Sequence, residues 1–126
     1  MAEELREDVL AFIRTTVKSV WSLELLLLLR RGAGRAWSSD DLVREIRGSR
    51  AIVSQAVAGF IQAGLVRQED SKFWYDPAIP ELDRRVEDLG TAYADRPTTV
   101  VNAILTAPGD QLLQDFANAF KIKKDD

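Results

Sequence analysis

The chain contains no cysteine and no histidine. The first absence removes disulfides, thiolate nucleophiles and cysteine-held zinc together, and it suits a reducing cytoplasm. The second removes the side chain that most often moves protons near neutral pH. Catalysis would be left to carboxylates and lysines, and neither forms a convincing constellation. The closely spaced acids of ELDRRVED (81–88) are interleaved with arginines, the pattern of a solvated helix face. Gly32-Ala33-Gly34 lacks the lysine and serine of a phosphate-binding loop and follows no strand. We expect no enzyme, and no catalytic, metal or cofactor site.

A long apolar run is also missing. The richest stretch, LELLLLLRR at 23–31, falls far short of the roughly 20 residues that cross a bilayer, and Glu24 interrupts it. The N-terminus, MAEELRED, is acidic where a secretory signal would be basic. A cytoplasmic protein with no membrane contact is expected.

The last absence is local. The chain carries 20 Asp and Glu, yet none falls between Glu45 and Glu69. Residues 1–29 have net charge −2, residues 30–72 have +3 and residues 73–126 have −4. Positive charge is thus gathered around the acid-free stretch of a chain whose total is −3. A nucleic-acid binder usually shows a basic footprint, so the distribution matters more here than the total.

What is present fits one compact unit. The 126 residues, 46% hydrophobic and 29% charged, suffice for a single core. Leu5, Val9, Phe12, Ile13, Val17, Val20 and Trp21 recur at helical spacing. Ser19 can cap a second helix, VWSLELLLLLRR, which the glycines at 32 and 34 end. The serines of WSSDDLVREIRG can start a short helix, with Asp40 and Asp41 complementing its dipole and Gly48 as the expected C-cap. Arg44, four residues after Asp40, reads as an exposed ion pair with it. Ser49 then caps a further helix whose Ile52, Val53, Ala56, Val57, Phe60 and Ile61 face a core, leaving Arg50, Ser54, Gln55, Ala58, Gly59 and Gln62 outside. Gly64 ends it. LVRQ and FWYD, around a turn in EDSK, form a hairpin that Pro77 stops. Trp21, Trp37, Phe73 and Trp74 are expected in core and hairpin packing. Beyond Pro80, a seam at Leu82, Val86, Leu89 and Tyr93 marks one helix. Shorter apolar helices are expected between Pro97 and Pro108 and over DQLLQDFANAF (110–120), before a solvated KIKKDD tail.

The order of helix, short helix, glycine turn, helix and hairpin resembles the winged helix-turn-helix of small bacterial transcription regulators of the broad MarR and PadR type. The resemblance covers about residues 19–76. It rests on SSDDLVREIRGSRAIVSQAVAGFIQAGLV and the wing-like RQEDSKFWYD. The expected fold is mainly α with a small β-hairpin, with extra N- and C-terminal helices. The resemblance implies that the helix opening at Ser49 enters the major groove and that the wing touches backbone or minor groove.

Independently, small and polar outward residues without carboxylates let a helix approach base edges, whereas acids there would meet phosphates. Arg50 suits guanine or phosphate, Gln55 suits adenine, and Ser49 and Ser54 suit bases or backbone. Arg30, Arg31, Arg35, Arg47, Arg67 and Lys72 are the candidate phosphate contacts. Glu69 and Asp70 at the wing tip would oppose phosphate. The expected partner is double-stranded DNA, bound at a palindromic promoter site by a homodimer. The helices of 1–18 and 77–126 either dimerise or fold back on the 19–76 unit, with the four-three-four seam favouring a dimer. The alternative is a winged-helix module that meets another protein and not DNA.

Overall fold

The computed structural model describes residues 5–106. It is mainly helical, with one two-stranded antiparallel hairpin. The elements are α1 (Glu7–Thr16), α2 (Val20–Arg31), α3 (Ser39–Ile46), α4 (Arg50–Gln62), β1 (Val66–Glu69), β2 (Lys72–Tyr75) and α5 (Pro80–Asp95). A further helix, α6, covers 97–106. The expectations for DQLLQDFANAF and the KIKKDD tail lie outside the described residues.

Local chemistry sets most of the boundaries. The Ser19 hydroxyl accepts from the Ser22 amide at 3.0 Å and starts α2, satisfying one of the amides a helix start leaves free. Gly32 caps the end of α2, where a side chain would not fit: a Cβ would stand 2.7 Å from Cζ2 of Trp37. At α3 the Ser38 hydroxyl accepts from the Asp41 amide, and the Asp41 carboxylate accepts from the Ser38 amide, a reciprocal capping box. Ser49 caps α4 by accepting from the Ile52 amide at 3.1 Å. Gly64, at φ 80°, ends it: its amide donates to Ile61 O while the Leu65 amide donates to Phe60 O. These are the two bonds of a Schellman close.

The turn between α3 and α4 differs from expectation. The left-handed residue is Arg47, at φ 55° and ψ 33°, not Gly48. The chain reverses one residue earlier than the glycine, and Arg47 adopts a conformation that costs an L-residue roughly 1–2 kcal/mol. Gly48 serves a different need, since a Cβ there would crowd Ile46 Cδ1 at 3.2 Å.

In the hairpin Asp70 and Ser71 both have positive φ, 51° and 66°, between the paired Glu69 and Lys72. This is the two-residue mirror-image turn that matches strand twist. Trp37, between α2 and α3, exchanges backbone hydrogen bonds with Phe73 at 2.8 and 2.9 Å, so that segment clamps the hairpin from the side of β2.

One apolar cluster runs from Leu5 to Ile104. α2 lies at its centre, with Leu23, Leu25, Leu26 and Leu29 fully buried, and Val53, Val57 and Phe60 of α4 pack into the same cluster. The stripes of α1 and α5 are covered within the chain. Val9, Phe12 and Ile13 are buried, as are Val86 and Leu89 of the seam, and α5 contacts both α1 and α2. Arg6 pairs with Asp88, and the Tyr93 hydroxyl donates to Glu24 at 2.8 Å. Of the two alternatives for these stripes, folding back on the chain accounts for the residues buried here: α1 and α5 pack on each other, and α5 also packs on α2. No helix among the described residues is long and apolar enough to cross a membrane.

Candidate nucleic-acid interface

α4 follows the three-residue turn Arg47-Gly48-Ser49 and buries one stripe. Arg50, Ala51, Ser54, Gln55, Ala58 and Gln62 are all exposed on the remainder. That outward face carries no carboxylate. It combines small residues, two carboxamides, a hydroxyl and one guanidinium, groups that can lie against a polyanion and hydrogen-bond to base edges. Ser49, Arg50, Ser54 and Gln55 share the first half of the helix. The Ser49 hydroxyl is already occupied by the cap.

The candidate cations fall into two groups. Arg50 pairs with Asp40, which links the starts of α3 and α4, and both side chains are largely exposed, at 65% and 70%. Arg35 lies over the Trp37 ring, 3.8 Å from its centroid, with Asp41 at 4.0 Å. Arg67 lies over Trp74 and pairs with Glu69 at 3.1 Å and Asp76 at 3.2 Å. Arg30 is the most committed, because its Nε donates to Asp83 at 3.0 Å and Asp83 also accepts from the Tyr75 hydroxyl at 2.6 Å. Among the described residues, Arg31, Arg47 and Lys72 have no carboxylate partner. Arg47 stands at the turn before α4, Lys72 opens β2, and Arg31 shares a small depression with Glu24 and Glu45.

Protonation follows these contacts. The hydrogen bond from Arg30, then that from Tyr75, holds the Asp83 carboxyl below its ordinary value. Burial and the Asp83 hydrogen bond push the Tyr75 phenol up. Asp41 is held low chiefly by the Ser38 amide and hydroxyl.

Three readings are corrected by this geometry. Arg44 pairs with Asp41 at 2.8 Å, and Asp40 turns instead to Arg50. Asp83 is a half-buried anchor between α2, β2 and α5, not one member of a solvated acidic face. Trp37 and Phe73 are buried as expected, but Trp21 is 43% exposed, because α2 turns that side away from the core. Asp40 and Trp21 are the neighbours of the α4 face that sequence reasoning missed. Asp40 was detectable only as an acid ten residues before Arg50; Trp21 gave no signal beyond its place at the edge of the leucine run.

Comparison of the chain with known protein families, with characterised proteins and with solved structures finds no match.

Proposed function

We propose that the protein is a winged helix-turn-helix regulator of bacterial transcription that binds double-stranded DNA in the cytoplasm, with α4 in the major groove and the β1–β2 hairpin as the wing. The single observation that carries this reading is the exposed face of α4, free of carboxylates in a chain of net charge −3. The three-residue turn before α4 and the hairpin after it agree with the same reading. Arg50 and Gln55 read bases in this proposal, while Ser54, Arg47 and Lys72 position the helix on phosphates. Ser49 holds the helix start. Arg31, Arg35 and Arg67 lie outside the reading helix, and Arg30 acts as a structural tie.

In this reading two copies bind a palindromic promoter site with their α4 helices about 34 Å apart. Since the α1 and α5 stripes are spent in the core, pairing would use another surface, such as the one around exposed Leu105. A monomer in sedimentation, with and without DNA, would remove the dimer from the proposal.

The second reading, docking of α4 on a protein in place of DNA, is favoured by Asp40 on Arg50 and by Glu69 and Asp70 at the hairpin turn. Salt separates the two. A binder with several phosphate contacts loses orders of magnitude in duplex affinity between about 50 and 200 mM salt, through counterion release. Fluorescence anisotropy on genomic fragments at both concentrations provides the measurement. Failure to retain any duplex at the lower salt would sink the DNA reading.

A further inference from the structure

A groove of about 910 Å³ runs between α1 and α4, from Trp21 of α2 at one end to Leu82 and Arg85 of α5 at the other. Its α4 wall extends from Ile52 to Ala63, roughly 16 Å or three helical turns. Apolar lining exceeds polar, and none of the residues that line it carries a carboxylate. The charges at its rim are Lys18 and Arg85. Lys18 donates only to the Arg14 carbonyl, 3.3 Å away, whereas Arg85 faces Glu81 at 3.4 Å and Asp8 at 3.8 Å from outside the groove.

The α4 wall includes three small residues, Ala56, Gly59 and Ala63. A Cβ on Gly59 would meet nothing within 4 Å. Glycine inside a helix costs about 1 kcal/mol relative to alanine, and no contact within the described chain uses the space it leaves. Such a notch admits the backbone of another element at close range.

We infer that this groove receives one amphipathic helix of a partner protein, its apolar side against Ala56, Gly59 and Ala63 and its carboxylates beside Lys18 and Arg85. The length of the wall suits a three-turn segment, and helix-in-groove docking uses this combination of apolar floor and charged rim. The lining offers no carboxylate, and Lys18 has no carboxylate partner among the described residues, so an acidic flank is favoured over a basic one there. The α1 and α5 stripes of a second copy are already buried and cannot fill the groove. Gln55 lines both this groove and the outward face of α4, so a helix seated here and a DNA duplex would compete for that side chain.

The test titrates the full ¹⁵N-labelled chain with a synthetic amphipathic peptide of Leu, Ala and Glu, and with a twin in which Lys replaces Glu. Amide shifts at Ala11, Thr15, Ala56 and Gly59 are expected with the acidic peptide, with affinity at least about tenfold above that of the twin. Gly59→Leu should fill the notch, keep or raise the melting temperature, and weaken the acidic peptide about tenfold or more. Equal binding of the twin, shifts centred elsewhere, or undiminished binding by a folded Gly59→Leu chain would each overturn the inference. So would groove resonances that move with protein concentration alone, which would assign the groove to a second copy. Removal of residues 107–126 shifting the same resonances would assign it to the chain's own C-terminal segment.

Discussion

The guanidinium of Arg50 rests on the carboxylate of Asp40, so the residue proposed to read a base is held by an acid from the start of the preceding helix. Both side chains are exposed, and such a pair contributes only about 0–1 kcal/mol to stability. Its consequence for binding is larger, because a base or phosphate that takes Arg50 must displace Asp40 or tolerate its charge. Asp40→Asn is therefore expected to raise duplex affinity about three- to tenfold, while costing at most about 1 kcal/mol of stability through the α3 dipole. Anisotropy at two salt concentrations, paired with urea denaturation, measures both. Unchanged affinity would place Arg50 outside the interface.

Arg50→Ala isolates the other partner. If Arg50 reads a base, specific binding should weaken by roughly 1–3 kcal/mol and discrimination at one operator position should relax. Uniform weakening across all sequences would make Arg50 a phosphate contact instead. The combined Asp40→Asn, Arg50→Ala chain closes a double-mutant cycle, and the gain from Asp40→Asn should vanish in it.

Arg47 links stability and binding in opposite directions. Its left-handed backbone favours glycine, so Arg47→Gly is expected to stabilise the fold by about 1 kcal/mol. The same change deletes a cation with no carboxylate partner at the turn before α4, and should lower the salt slope of duplex binding by about one. If Arg47→Gly stabilises and binds DNA as before, Arg47 is not a phosphate contact.

The starts of α2, α3 and α4 were legible in the sequence because their serine caps are local. Ser19 and Ser49 each accept from an amide three residues on, and Gly64 ends α4 through its own amide and that of Leu65. The exposed face of α4 was legible for the same reason, since periodicity separates the buried from the outward positions of one helix. Periodicity does not say what covers a stripe. Thus the Leu82, Val86, Leu89 and Tyr93 seam announced a buried face, but α1 and α2 as its cover depend on how helices far apart in sequence cross. The same limit hid Trp21's exposure. Asp40 on Arg50 and Arg30 on Asp83 were beyond reach because each joins side chains from two elements whose relative placement the residues alone do not state. The position of the left-handed residue failed on chemistry: glycine preference pointed to Gly48, and the turn geometry used Arg47.

Asp83 anchors three elements, and its removal should be felt as a pH-dependent loss. It accepts from Arg30 of α2 at 3.0 Å and from Tyr75 of β2 at 2.6 Å while standing on α5. Hydrogen bonds to a charged group contribute about 1.5–3 kcal/mol when sheltered, and the 42% exposure of this side chain reduces that. Asp83→Asn should therefore cost about 1–2 kcal/mol in urea denaturation near neutral pH. Because the folded state holds this carboxyl below its ordinary 3.8, the stabilisation is present above that value and is lost as pH falls through the lower folded one. The asparagine chain has no such proton to take up, so the two stability curves should converge in acid. Tyr75 acts at the other end: its phenol is raised above the ordinary 10.0, so the native chain should lose stability as pH climbs past that value. A stability gap between the native and Asp83→Asn chains that stays constant from neutral to acid pH would show that Asp83 acts by packing alone and not through its charge.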